Sequence, residues 1–395
     1  MNTFVLLSDI RIHSNGLEFL YPQRKPRLED SAILSRSSSL FDPGYLPDRL
    51  LHRERELSTL SKLIPSSDFA QPVNILVHGS FGIGRTTLLR FFGVHQLGCC
   101  RQPLVTFRMK SASEIVWDTL TALIGSPAPS DPLPELWSSL KRILQKAETP
   151  IIFILDDVDQ NSVETYGKYL AICKELGIPS MSTAPRYFQR SLPATTSQHL
   201  DYSLELQPYS DREFLDIIAD RVSAAFPVPL GPSTIEFVAD LICLLDYQRP
   251  ATAMELLRML YPIVGKNSNL TADQIRQTCL SSGTLHYDFW SDHLAGVSNL
   301  DAPGVLLLQA AGEYFLNNPG RLYVSKPCLL SQYGQVCERT GFSPSSSQFP
   351  RALNELLFQD LLLRSRYNPD NYFTMLPAQN CVEVVELLLG DAEEC

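Results

Sequence analysis

Val73-Asn74-Ile75-Leu76-Val77-His78-Gly79-Ser80-Phe81-Gly82-Ile83-Gly84-Arg85-Thr86-Thr87 is the stretch on which the fold class turns. Its first half is a short apolar run with strand character. Its second half spaces glycines ahead of LLRFFGVHQL, which reads as a helix. A strand, a glycine-rich turn and a helix in that order form the Walker A frame, GxxxxGK followed by Ser or Thr, with Arg85 in the lysine position. Around Gly79, Ser80, Gly82 and Gly84 the backbone can curl so that successive N–H groups converge on phosphate oxygens. The helix N-terminus at Thr86 and Thr87 adds favourable dipole charge. The Thr86 hydroxyl is the candidate ligand for Mg2+. Arg85 keeps a positive charge near the phosphates, but its planar fork is bulkier than an ammonium and not equivalent to it.

The matching half of such a site is an acidic residue at the end of a buried strand. Ile151-Ile152-Phe153-Ile154-Leu155 is apolar throughout, as a parallel strand covered on both faces must be. Asp156-Asp157-Val158-Asp159 follows directly. Asp156 is placed to hold Mg2+ through water, the Walker B role. Asp157 stands where a carboxylate would orient an attacking water, as the candidate catalytic residue. It is one methylene shorter than Glu, and a misplacement of about 1 Å in a positioning group can cost about 100-fold in rate. The expected cofactor is therefore ATP or ADP with Mg2+, with weak or absent hydrolysis.

Outward from these motifs, strands alternate with helices over 51–207: LVTFRM at 104–109, Ile178 to Ser182 and Leu204 to Leu206 are the further strands. That rhythm predicts a parallel α/β base. Residues 1–50 read as an extended, turn-rich lead-in. From Asp211 the pattern is helical only, with Ser210 and Thr271 as caps, so 208–282 reads as an all-helical lid. Residues 283–395 order two helices, a third helix and two strands around an Arg- and Asn-rich turn, the sequence of a C-terminal winged helix.

Composition narrows the function. At 395 residues with 44% hydrophobic and 19% charged residues, the chain is a folded one with room for two or three cores. Neither a signal peptide nor eighteen consecutive apolar residues is found, so no membrane partner is expected. Nine scattered cysteines without a CxxC argue against a zinc site. A net charge of −10 argues against broad adhesion to nucleic acid, though not against a local basic patch.

Beyond the two motifs, the whole chain resembles the Orc1/Cdc6 family of AAA+ replication initiators, in its archaeal arrangement. The likeness begins at Leu40-Phe41-Asp42-Pro43-Gly44-Tyr45-Leu46-Pro47 and runs into His52-Arg53-Glu54-Arg55-Glu56-Leu57, a segment that packs near the adenine in the family. It continues through the P-loop, the DDVD box, Pro208-Tyr209-Ser210 and Ala253-Met254-Glu255-Leu256-Leu257-Arg258, and ends in Tyr333-Gly334-Gln335-Val336-Cys337. The resemblance implies an AAA+ base, a lid and a winged helix, acting on double-stranded DNA in origin recognition and loading of the replicative helicase. Other initiator subunits or further copies of this chain are the implied assembly partners. It also implies a sensor after the fourth strand, for which Ser182 or Thr183 is the candidate, and a second sensor near Arg249.

The departures from the family pattern mark a divergent member. Arg85 replaces its lysine and Asp157 its glutamate. Leu192-Pro193-Ala194-Thr195-Thr196-Ser197 lacks the arginine of a trans-acting finger, and Ala251 stands where the second sensor's arginine would be, two residues past Arg249.

For DNA, the third helix of the winged helix offers Gln348 and Arg351, and the wing offers Arg364, Arg366 and Asn368, the two arginines alternating on one strand face. Residues 281–395 nonetheless hold six Lys plus Arg against thirteen Asp plus Glu. Two further readings stay open: a catalytically inert adaptor using the winged helix for protein contacts, and a nucleotide-switch regulator of transcription or of mobile elements. The compartment follows the source, cytoplasmic and nucleoid-associated in an archaeon, nuclear in a eukaryote.

Overall fold

The apolar strand before the acidic box is apolar on both sides for a visible reason. In the computed structural model, Phe153 and Leu155 point into one hydrophobic cluster, and Ile152 and Ile154 into another on the opposite face of the sheet. Each such buried side chain contributes roughly 1.5–3 kcal/mol relative to exposure. The structure describes residues 38–383 except 65–71, 98–99, 101, 127, 227–228, 247, 265–269, 282–295, 344 and 346.

The base is built from β1 (Asn74–Gly79), β2 (Leu104–Thr106), β3 (Phe153–Asp156), β4 (Ser180–Pro185) and β5 (Tyr202–Leu206). They form a parallel sheet in the order β2-β3-β4-β1-β5. Helices α1 (Glu54–Leu63), α2 (Arg85–Gln96), α3 (Ala112–Ile124), α4 (Leu133–Gln145) and α5 (Val163–Leu176) cover it, with a one-turn α6 (Ala194–Ser197) before β5. Local chemistry sets their ends. Ser111 and Glu114 make a reciprocal capping box at the start of α3, and Gly125 and Gly177 close α3 and α5 in the left-handed conformation.

The lid consists of α7 (Asp211–Ala225), α8 (Pro232–Asp246), α9 (Pro250–Val264) and α10 (Ala272–Ser281). Ser210 and Glu213 form a second capping box on α7. Thr271 accepts from the Gln274 N–H at the start of α10, as its place in the sequence suggests. The winged helix follows as α11 (Ala302–Asn317), β6 (Val324–Ser325), α12 (Lys326–Thr340), α13 (Gln348–Phe358), β7 (Leu363–Arg364) and β8 (Asn371–Phe373). Its sheet has three strands, β6-β8-β7, one more than the sequence pattern shows. β6 is two residues long, too short for periodicity to reveal. Pro350 falls in the first turn of α13, where a missing N–H costs nothing.

Packing crosses two of the domain divisions read in the sequence, of which the 282/283 division lies outside the described residues. The lead-in does not stay apart from the domains: Ser38–Phe41 makes a 3-10 turn, and Phe41, 2% exposed, packs against Phe226 and Tyr261 in the lid. Leu40 gives its carbonyl to Arg221, whose guanidinium lies over the Tyr45 ring. Residues 1–37 of the lead-in lie outside the described residues. The lid and winged helix, in turn, share one continuous hydrophobic core rather than two. Among the described residues no helix is long and apolar enough to cross a membrane.

Candidate nucleotide site and winged-helix surface

The two acidic and glycine-rich segments meet. The Thr86 hydroxyl donates to Asp156 Oδ1 at 2.8 Å, joining the start of α2 to the end of β3. The loop between β1 and α2 reaches this point through two left-handed glycines, Gly82 at φ 76° and Gly84 at φ 92°. Side chains rarely adopt that region, so glycine is required at both. A Cβ on Gly79 would lie 2.7 Å from Ile83 Cδ1 and 3.0 Å from the Leu206 carbonyl oxygen, so the strand exit is as tightly fitted. Ser80 and Thr87 flank the loop, both half-buried.

Of the two sensor candidates, only Thr183 is at the site. Its hydroxyl donates to Asp156 Oδ1 at 2.6 Å and accepts from the Asp157 N–H at 2.9 Å. Ser182 is a correction to the sequence reading. Its hydroxyl donates to the Ile75 carbonyl oxygen at 3.0 Å and meets Tyr166 Oη at 2.7 Å, fully buried within the base. Successive strand residues face opposite sides, so one of the pair had to turn away.

Arg85 is 6% exposed, and its Nη2 lies 3.5 Å from Asp157 Oδ1. Burial pulls the guanidinium below its ordinary pKa, against the opposing pull of Asp157 and Asp156. Burial and the neighbouring Asp156 raise the Asp157 carboxyl above its usual range, while Arg85 and Arg108 pull it down. Arg85 Nη1 is buried without a hydrogen-bond partner among the described residues. That orphaned donor, the curled loop and the helix start fit a phosphate chain. Among the described residues no three His, Cys, Asp or Glu side chains could hold a metal by themselves. Mg2+ at Thr86 and Asp156 would therefore depend on phosphate and water oxygens for its remaining ligands.

The lid closes on the loop. The Ala251 N–H donates to the Gly82 carbonyl oxygen at 3.3 Å, and a Cβ on Gly82 would lie 3.4 Å from both Cβ and Cδ of Arg249. Arg249 thus lies against the loop despite its offset in the sequence. Three residues to which the sequence analysis gave no role of their own also shape the site. Arg53 donates through Nε to Tyr209 Oη at 2.9 Å, stacks on that ring at 4.0 Å and donates through Nη2 to the Gln207 carbonyl oxygen, tying α1 to the strap between base and lid. A Cβ on Gly84 would stand 3.9 Å from the same Tyr209 Oη. Arg108 lies over the Phe81 ring at the loop tip. The HRE stretch and the PY pair gave the signal for the first two; nothing in the sequence pointed to Arg108. His78 is packed, its Nδ1 3.2 Å from the Arg186 carbonyl oxygen.

The winged-helix candidates do not converge. Gln348 accepts the Ser345 N–H through Oε1 and so fixes the turn before α13. Arg351 is exposed and paired with Asp301 at 3.0 Å. Arg364 donates to the Pro369 carbonyl oxygen across the wing and lies over Tyr372. Asn368 is exposed and accepts the Asp370 and Asn371 N–H groups through its side-chain and backbone oxygens, shaping the turn. Arg366 corrects the expectation of two arginines on one strand face, because β7 ends at Arg364. Its N–H donates to Asp240 Oδ1 at 2.9 Å, and its guanidinium lies 3.4 Å from Asp211 on α7. Asp240, 2% exposed on α8, also accepts from Tyr323 Oη at 2.8 Å. Beside it the Phe237 ring meets Tyr323 and Phe373 at 5.6 and 5.4 Å.

No model of a known protein family matches the sequence. The chain is 22% identical over 356 residues to ORC1-type DNA replication protein 2 of Thermoplasma acidophilum, covering 84% of each. Among solved structures it is similar to Cdc6p of Pyrobaculum aerophilum, with a TM-score of 0.75 at 18% identity, covering 90% of this chain and 98% of that one. It is also similar to the ORC1 protein of Aeropyrum pernix in complex with DNA, with a TM-score of 0.55 at 19% identity, covering 88% of this chain and 96% of the other.

Proposed function

We propose that this chain is a divergent ORC1/Cdc6-type protein, a reading its likeness to ORC1-type replication proteins and to Cdc6p supports, and that it acts on double-stranded DNA in the initiation of replication. It holds ATP or ADP with Mg2+ between base and lid and hydrolyses it weakly or not at all. The observation that carries the nucleotide half is the meeting of Thr86, Thr183 and Asp156 around one carboxylate oxygen, beneath a loop whose buried arginine has an unused donor. Gly79, Ser80, Gly82, Gly84, Arg85, Thr87 and Arg249 supply the surrounding cradle. The DNA half draws its support from the family and from the relative of Aeropyrum pernix whose complex contains DNA.

When bound, the nucleotide supplies phosphate charge that the loop N–H groups and Arg85 neutralise, and Mg2+ screens what remains. This chain's own part is to position. Arg249 and Ala251 set the lid against the loop, and Arg53 with Tyr209 holds the strap between them. Weak turnover follows from Asp157, whose short carboxylate is committed to Arg85. No arginine stands in the 192–197 stretch to complete a neighbour's site.

Purified full-length protein, denatured and chromatographed for released adenine nucleotide, tests the first half; it should yield ADP or ATP near one per chain. Anisotropy of labelled duplex DNA at low and moderate salt tests the second, and binding that weakens steeply with salt is expected. Protein that neither carries nor takes up nucleotide would end the nucleotide reading. DNA binding that is absent at low salt favours the adaptor reading. The captured wing and the acidic balance of residues 281–395 specifically support that alternative.

A further inference from the structure

Within the cradle, Arg85 already has an anion. Its Nη2 lies 3.5 Å from Asp157 Oδ1, in a place where the guanidinium is 6% exposed. A surface arginine releases a carboxylate at little cost, whereas a buried one keeps whatever counter-charge is nearest. The contact is longer than the roughly 2.7–2.9 Å of a good charge-assisted hydrogen bond. Asp157 therefore neutralises Arg85 without satisfying it, and Nη1 is left with no partner among the described residues.

The backbone is bent to make this contact. Asp157 sits at φ 54°, in the left-handed region that few side chains other than Asp and Asn adopt. It is held there by its own N–H to Thr183 Oγ1 and by the Val158 N–H to the Thr183 carbonyl oxygen. The bend brings the carboxylate to the arginine of the loop and not to open solvent; its side chain is 28% exposed.

We propose that Asp157 is an internal stand-in for phosphate: it occupies the Arg85 guanidinium, and an incoming phosphate chain has to compete with it. This rests on the nucleotide reading above and deepens it. A phosphate reaching Arg85 meets a carboxylate already there, with Asp156 beside it, so three anionic groups share one buried cation. Asp157 then lowers affinity for any anionic ligand of the loop, diphosphate as well as triphosphate. A carboxylate that only orients water would leave diphosphate affinity untouched.

The test uses the full chain stripped of nucleotide, a fluorescent ADP derivative, and EDTA throughout so that no metal-mediated role of Asp157 contributes. Wild type, Asp157→Asn, Arg85→Ala and the double variant are compared, with circular dichroism to verify folding of each. Asp157→Asn should bind about tenfold tighter, a change of about 1.4 kcal/mol, and inorganic pyrophosphate should compete with the same gain. The gain should vanish in the Arg85→Ala background, because the carboxylate acts through that guanidinium. Equal or weaker binding by Asp157→Asn, where wild type binds measurably, overturns the stand-in role and leaves the nucleotide reading intact. A gain that persists without Arg85 overturns it too. No binding by any of the four at millimolar ligand, either in EDTA or with Mg2+ restored, overturns both readings.

Discussion

The P-loop cradle and the wing use similar residues and end in opposite arrangements. In the cradle, side chains from α2, from β4 and from the end of β3 converge on one Asp156 oxygen and one buried guanidinium. In the wing, Arg364 folds back across its own turn, and Arg366 is directed into the lid, its N–H on buried Asp240 and its guanidinium beside Asp211. The difference lies in what fixes each side chain. A phosphate cradle is mostly backbone, set by glycine conformation and strand ends that neighbouring residues dictate. A wing is a short strand pair with long, polar side chains, and whichever charged surface lies beside it decides where they go. Here that surface is the lid, whose core is continuous with that of the winged helix.

Six substitutions break or sharpen this contrast. Phe237→Ala should cost the most, about 4 kcal/mol by urea unfolding, because the ring is fully buried between Tyr323 and Phe373 and beneath the Arg276 guanidinium. A loss under about 1 kcal/mol would mean that the lid does not anchor the wing.

Asp240→Ala should cost about 2–3 kcal/mol, since the Tyr323 hydroxyl and the Arg366 N–H lose a buried acceptor. Asp240→Asn keeps an acceptor and shows the sign of the charge. Burial raises the Asp240 carboxyl above its ordinary 3.8, so the folded chain binds that proton more tightly than the unfolded one. The stability this adds is fully present below the ordinary value and is lost as pH rises through the folded value. Wild type should therefore gain on Asp240→Asn as pH falls from neutral towards 3.8, with parallel unfolding curves as the measure.

Thr183→Ala and Ser182→Ala separate two neighbours on β4. The first should weaken Mg2+-dependent nucleotide binding by about 1.5 kcal/mol, as loss of one hydrogen bond to a charged group does. The second should leave that affinity unchanged and lower stability by a similar amount; titration calorimetry alongside thermal melts reads both. Smallest is Arg351→Ala, whose side chain is exposed. It should weaken duplex binding at low salt by about 0.5 kcal/mol and flatten the salt dependence slightly, as one fewer phosphate contact would. An unchanged slope would remove α13 from the DNA-facing surface.

Much of the fold was legible because its determinants are local. The Val73 to Thr87 run, the apolar strand before Asp156, the Ser210 cap and the change from βα alternation to helices only are each encoded within about fifteen residues, where backbone preference and periodicity act. The same locality made Gly82, Gly84, Thr86 and Asp156 readable as one site, since the strand ends of a parallel sheet bring such loops together whatever lies between them. The three-domain order was legible for that reason as well.

What tertiary structure alone decided involves partners distant in the chain. Which of Ser182 and Thr183 faces the site depends on the register of β4 against β3 and β1. Phe41 is a lid residue because Phe226 and Tyr261 surround it. Arg366 is held at the lid because Asp240 accepts its backbone N–H and Asp211 lies beside its exposed guanidinium, both more than a hundred residues earlier in the chain. A residue's neighbours in sequence set its backbone, but a charged side chain goes to the nearest compensating charge in space, and only the folded chain determines which one that is.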